Sequence, residues 1–156
     1  MTPAVDELAG AGIEFEVMQY EHDASAESFG TEAAEKLALD PDEVFKTLLA
    51  ELDSGELIVA IVPVEGRLDL KALARAAGAK RAAMADPAAA ERSTGYVVGG
   101  ISPLGQRKRL RTILDETALA LDHLNVSGGR RGLELRLAPT DLANLLDATI
   151  APITTW

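Results

Sequence analysis

No cysteine occurs anywhere in these 156 residues. Disulfides, thiolate metal sites and a cysteine nucleophile are thereby excluded. Histidine is nearly as scarce. His22 and His123 stand alone, with no companion at metal-ligand spacing, and so no metal is expected. No serine sits in a Gly-x-Ser-x-Gly elbow, although a Ser-His-Asp triad built from spatial neighbours stays open. Long apolar runs are missing too. The longest, Leu57-Ile58-Val59-Ala60-Ile61-Val62-Pro63-Val64, is far too short to span a bilayer. The first seven residues carry Asp6 and Glu7 but no apolar stretch, so they do not read as a signal peptide. These absences point to a cytoplasmic protein without a membrane partner, and the length favours one domain over residues 1–156.

Positive charge is also missing from the first part of the chain. Residues 1–66 hold sixteen Asp and Glu against two bases, Lys36 and Lys46. The overall net charge is −10, which argues against a polyanionic partner, but the distribution differs from the sum. Residues 67–111 carry ten bases and three acids, ending in Gln106-Arg107-Lys108-Arg109-Leu110-Arg111. Such a local asymmetry can make a phosphate-binding face on an acidic protein, or can be a solvated surface.

Helical and strand signals alternate along the chain. Residues 2–11 read as a short helix stopped by glycines, and Glu14-Phe15-Glu16-Val17-Met18 as a half-buried strand of period two. Residues 31–39 read as a helix. Asp40 looks like an N-cap with Pro41 at the first helical position and Glu43 completing a capping-box pattern, although the turn must be brief. Residues 45–52 read as a strand, Asp53-Ser54-Gly55-Glu56 as a hairpin turn, and residues 57–62 as a buried strand. Asp69 and Gly78 bracket one helix, Asp86-Pro87 and Gly95 another. Further strands are expected at 96–98, 112–115, 124–126, 133–137 and 149–151, with a last helix over 140–146. The pattern predicts an α+β fold with a mixed, largely antiparallel sheet surrounded by helices.

Three segments invite a functional reading. Lys46 lies in Val44-Phe45-Lys46-Thr47-Leu48-Leu49, a cation framed by apolar residues. In a strand it shares a face with Leu48, Ala50 and Leu52, while Thr47 shares one with Phe45, Leu49 and Glu51. If the first face is core, Lys46 points inward and should meet a carboxylate, carbonyls or a bound anion. The plainer alternative is a stem that covers apolar surface while the ammonium reaches water. Gly99-Gly100-Ile101-Ser102-Pro103-Leu104-Gly105 is a shaped loop whose N–H groups could hold an oxyanion, or simply a strand-end turn. Ser127-Gly128-Gly129-Arg130-Arg131-Gly132 lacks the Gly-Lys-Ser/Thr ending of a P-loop, which disfavours nucleoside triphosphates and leaves a glycine-rich hairpin as the plain reading. Tyr20 and Phe29 flank the polar segment 21–28 and could wall a pocket or anchor a core.

In their order and spacing these segments, together with Phe29-Gly30-Thr31-Glu32-Ala33-Ala34, closely resemble the YbaK/EbsC family. Its members are free-standing aminoacyl-tRNA deacylases related to the editing insertion domain of bacterial prolyl-tRNA synthetase. The resemblance runs from about Phe15 to Ile153. It implies a barrel-like version of the α+β fold and removal of a wrongly attached amino acid from tRNA, chiefly cysteine from tRNA(Pro). The Phe-Lys-Thr form of the lysine motif favours the YbaK branch over alanine-specific relatives. By the same resemblance Lys46 is the essential lysine, and Gly100-Ile101-Ser102-Pro103 the Gly-x-x-Pro element. Tyr20, Phe29, Thr47 and Ser127 with Gly128 and Gly129 belong to the substrate pocket, and Glu134 is its acidic position. The implied partners are the acceptor end of a mischarged tRNA and, for tRNA identity, prolyl-tRNA synthetase.

The implied chemistry needs no nucleophile, metal or cofactor from the protein, because the substrate's own thiol attacks an already activated ester. The protein has to position the thiol and stabilise an oxyanion, for which the amides of residues 100–102 are candidates. Lys46 would anchor the terminal ribose-phosphate or the carbonyl, and Arg107, Lys108, Arg109 and Arg111 would meet tRNA phosphates. Two rivals remain: a catalytically silent tRNA- or synthetase-binding module, and a deacylase of another aminoacyl-tRNA with water as nucleophile.

Overall fold

The computed structural model describes residues 1–25 and 29–156, with the side chains of Phe29 and Gly30 also outside the described residues. Helix α1 (Pro3–Gly10) starts where Thr2 accepts the Val5 N–H on its hydroxyl, with Pro3 at the first helical position. Strand β1 (Phe15–Gln19) and helix α2 (Phe29–Lys36) follow. Asp40 then caps a single 3-10 turn, Pro41–Glu43, as the brief turn expected there. The hairpin of β2 (Phe45–Leu52) and β3 (Leu57–Pro63) pairs antiparallel from Phe45 opposite Pro63 to Glu51 opposite Leu57.

Beyond the hairpin come the short strand β4 (Arg67–Leu68) and helix α3 (Leu70–Ala77). Asp69 accepts the Ala72 N–H at one end of α3, and Gly78 adopts the left-handed conformation at the other. A short strand β5 (Ala82–Met84), which periodicity had not indicated, leads to helix α4 (Pro87–Thr94), capped by Asp86 and ended by left-handed Gly95. The last part holds β6 (Thr112–Asp115), β7 (Leu124–Ser127), β8 (Leu133–Leu137), helix α5 (Pro139–Leu146), β9 (Thr149–Ala151) and β10 (Thr154–Thr155).

Strands assemble in the orders β5-β2-β3-β6-β9, β1-β8-β7 and β10-β4. Among the strand pairs of the described residues β3–β6 and β6–β9 are parallel and the others antiparallel, so the arrangement is mixed and largely antiparallel, as expected. The barrel-like expectation needs correction, because among the described residues the strands form three sheets that do not close into a barrel. The strand expected at 96–98 is absent as well. There the Gly100 N–H bonds back to Val97 O, and the Tyr96 hydroxyl is drawn inward to Leu104 O, making a turn instead.

Both faces of the central sheet are covered, and this decides how β2 is used. Phe45 and Leu49 face one core with Tyr96, Ile101, Leu104, Val126 and Leu135. Leu48, Ala50 and Leu52 face the other, with Ala72, Leu73 and Ala77 of α3. Each fully buried Leu or Ile in these layers contributes about 1.5–3 kcal/mol of transfer free energy. Lys46 therefore stands at the end of a packed face, not on a solvent side.

Candidate active site

The site originates in the mismatch between the lengths of β2 and β5. Strand β5 pairs only with Ala50, Glu51 and Leu52, and the Ala85 N–H extends the contact to Leu49 O. Upstream, residues 45–48 have no ladder partner on that side among the described residues. Main-chain groups alternate in direction along a strand, so Thr47 turns its N–H and C=O toward the same side as Leu49 O. A cleft of about 540 Å³ opens along this edge. That volume suits a small substrate group. Phe45 to Leu49 make one wall, Met84, Ala85, Pro87 and Ala90 a second. Val98, Gly99 and Ile101 form a third, and Tyr20, Ser127, Arg130, Arg131 and Glu134 complete it.

Lys46 is half-buried, and its Nζ lies 3.5 Å from Val64 O. Burial pulls its pKa below the usual lysine value, and the nearby Arg67 adds to the effect. Among the described residues no carboxylate pairs with it. Thr47 projects to the opposite face, and its Oγ1 is buried without a hydrogen-bond partner among the described residues. Ser127 and Glu134 face one another across the β7–β8 ladder. Glu134 is 6% exposed and its Oε2 has no partner among the described residues. Burial pushes its carboxyl up to about 8. Tyr20 follows β1, its N–H donating to Gly132 O at 2.9 Å. Its phenol is also raised, by burial first and then by Glu134 and Glu32.

The segment after Tyr20 is fastened to α2. The Glu32 carboxylate, 4% exposed, accepts from the Asp23 N–H at 2.6 Å and lies 2.6 Å from His22 Nδ1. Burial pushes the Glu32 carboxyl up, but His22, the Asp23 N–H and Lys36 together outweigh it and hold the pKa below normal. Glu32 is thus a buried and hydrogen-bonded member of the acidic first part of the chain.

The glycine-proline loop divides its roles. Ile101 and Gly99 line the cleft, whereas Gly100 supports it from behind. A side chain on Gly100 would come within 3.0 Å of Arg130 Cα and 3.1 Å of Arg131 N. Its N–H is committed to Val97 O, which removes it from the oxyanion donors expected at 100–102. Ser102 is fully buried and its hydroxyl accepts the Leu104 N–H, so it shapes the turn. Pro103 lies away from the cleft, beside Gly105 and Glu7. Gly128 and Gly129 also sit behind the cleft. The former accepts from the Thr2 hydroxyl, and the latter packs where a Cβ would be 2.7 Å from the Tyr96 ring. Phe29 opens α2, and its expected place in the pocket falls on a side chain outside the described residues.

The expected tRNA-phosphate cluster does not line the cleft. Arg111 forks onto Glu56 at 3.0 and 3.2 Å and donates to Ala77 O at 2.9 Å. Arg109 donates to Leu145 O near the end of α5, and Lys108 lies beside it. Arg107 packs over Gly95. The arginines at the cleft are Arg130 and Arg131, both exposed, with Arg131 donating to Val98 O at 3.3 Å. Their glycine-flanked hairpin was visible in the sequence, but only the Gly100 contact shows that it reaches the Lys46 edge. Among the described residues no group of three or more His, Asp or Glu converges as metal ligands.

The family described as "Aminoacyl-tRNA editing domain" matches residues 24–145. The chain belongs to that family. Among curated proteins it is 38% identical to the "Putative Cys-tRNA(Pro)/Cys-tRNA(Cys) deacylase EbsC" of Enterococcus faecalis, over 91% of this chain and 84% of the relative. Two crystal structures show the same fold. One, of "hypothetical protein APE2540", has a TM-score of 0.88 at 22% identity, covering 99% of this chain and 100% of the other. The second, of "a putative trans-editing enzyme for prolyl tRNA synthetase", has a TM-score of 0.81 at 24% identity, covering 100% and 99%.

Proposed function

We propose that this single editing domain is a cytoplasmic trans-editing deacylase that removes cysteine from mischarged tRNA(Pro). The observation that carries the proposal is the cleft at the open edge of β2. There Lys46, Thr47, Ile101, Ser127 and Glu134 border one cavity of about 540 Å³. The 38% identity to a chain named as a Cys-tRNA deacylase supports the substrate.

In this mechanism the esterified cysteine enters the cleft beside Thr47 and Ile101. Its thiol sulfur attacks its own carbonyl carbon, forming the C–S bond of a cyclic thioester. The C–O bond to the terminal ribose breaks, and the thiol proton ends on the ribose oxygen. The protein supplies confinement, which raises the effective concentration of thiol at the carbonyl. Ile101 N–H, uncommitted among the described residues, is the donor we assign to the developing oxyanion. Lys46, with its charge facing no carboxylate among the described residues, anchors the terminal ribose-phosphate. Prolyl-tRNA synthetase would supply the reading of tRNA identity.

Cysteine- and serine-charged tRNA(Pro) test the reading in one assay. Thiol attack predicts rapid loss of cysteine and near-background loss of serine. Equal turnover of both esters would replace the thiol by water as nucleophile, and turnover of neither would remove the deacylase assignment.

A further inference from the structure

Glu134 is a buried acid in the cleft and has no task in the chemistry above. Its side chain is more than nine-tenths buried, lines the cavity, and leaves Oε2 without a partner among the described residues. The neighbouring strands place no cation opposite it, and Arg136, two residues further along β8, reaches Glu43. Ser127 faces it from β7 and Met18 from β1. Tyr20 beside it carries a phenol. Lys46, Arg130 and Arg131 border the same cleft, but the net effect on the Glu134 carboxyl is an upward shift caused by burial. A buried carboxyl opening onto a cavity is best satisfied by a charged donor brought by the occupant.

An aminoacyl ester offers an acceptor at its carbonyl, a weak donor at the thiol, and one cation, the α-ammonium. Only the last complements a carboxylate, and a cation at that place favours release of the proton that burial holds on Glu134. We infer that Glu134 holds the free α-ammonium of the aminoacyl ester and so restricts the cleft to esters with an unblocked amine. The inference rests on the deacylase reading. Lys46 at one end and Glu134 at the other then fix the ester by its two ends, anionic and cationic. Esters whose amine is acylated, as in peptidyl-tRNA, are excluded because the carboxyl would stay buried and unpaired.

The test compares cysteinyl-tRNA(Pro) with 3-mercaptopropionyl-tRNA(Pro), which keeps the thiol and lacks the amine without added bulk. Wild type should prefer the amine-bearing ester by about tenfold to a hundredfold in kcat/KM, mostly through KM. Glu134→Gln should bring the two esters to within about threefold by losing only the amine-bearing one, with Glu134→Asp recovering part of the preference. Equal wild-type turnover of both esters overturns the inference and leaves the deacylase reading intact. So does a Glu134→Gln variant that keeps the preference or slows both esters alike. Turnover of neither ester by wild type sinks the deacylase reading and the inference together. The wild-type comparison stands even if the variants fold poorly.

Discussion

Replacing Glu134 by glutamine should change how stability depends on pH, and the size of the change follows from burial. The carboxyl rises from 4.5 to about 8 in the folded protein because it is removed from water. The folded state therefore holds a proton that the unfolded state has released, and stability falls as pH rises between those two values. The contribution is fully present below the unfolded value and is lost once pH passes the folded one. With one pKa unit worth about 1.4 kcal/mol, wild type loses about 2–3 kcal/mol from this group between pH 5 and 7. A further loss of about 1–2 kcal/mol follows between pH 7 and 9. Glutamine keeps the shape and cannot ionise, so the stability of Glu134→Gln relative to wild type should rise by those amounts over the same steps. For a chain of this length the second step corresponds to about 3–5 °C in Tm. Urea or thermal melts of both proteins at the three pH values measure it. A difference between variant and wild type that stays constant across pH would show that Glu134 is solvated or paired, and would remove the buried acid from the account.

Two further perturbations separate supporting residues from those at the cleft. Arg111→Ala should cost about 1–2 kcal/mol in urea melts, through the lost Glu56 pair and Ala77 carbonyl bond, with tRNA affinity unchanged. Arg130→Gln should do the reverse, leaving stability within about 0.5 kcal/mol while lowering tRNA affinity and flattening its salt dependence by about one unit of slope. Gly105 sits at φ +66 with its missing Cβ 2.4 Å from Pro3 C, so Gly105→Ala should destabilise by at least about 2 kcal/mol in chemical unfolding.

The sequence shows most of the elements because their signals are local. Asp40, Asp69 and Asp86 each cap the turn or helix that follows, and Gly78 and Gly95 end theirs in the left-handed conformation. Strand β2 spans all eight residues of the segment read as a strand. The failures are those where tertiary contacts overrule local pattern. Tyr96, Val97 and Val98 have strand-forming side chains, but Gly100 closes a turn there and the Tyr96 hydroxyl is held by Leu104 O. Ala82 to Met84 pairs because β2 offers an edge, not because alanines favour strands.

The site divides in the same way. Lys46, Thr47, Tyr20, Ile101, Ser127 and Glu134 all reach the cleft. Gly100, Gly128 and Gly129 support its wall from behind, which no spacing rule distinguishes from lining it. The basic run at 107–111 lies away from the cleft, a placement that charge in a sequence cannot give because it carries no direction. Its Arg111 is consumed by Glu56, fifty-five positions upstream. The pair that does border the cleft, Arg130 and Arg131, is brought there by the close approach of Gly100.

The central claim is that the cleft beside Lys46 removes the amino acid from a mischarged tRNA. Single-turnover deacylation of cysteinyl-tRNA(Pro) by wild type and by Lys46→Ala tests it most directly, with circular dichroism confirming that both are folded. The account predicts rapid release by wild type and a loss of at least about a hundredfold in the folded variant, since the ester would lose its anionic anchor. Release by Lys46→Ala at the wild-type rate would contradict it.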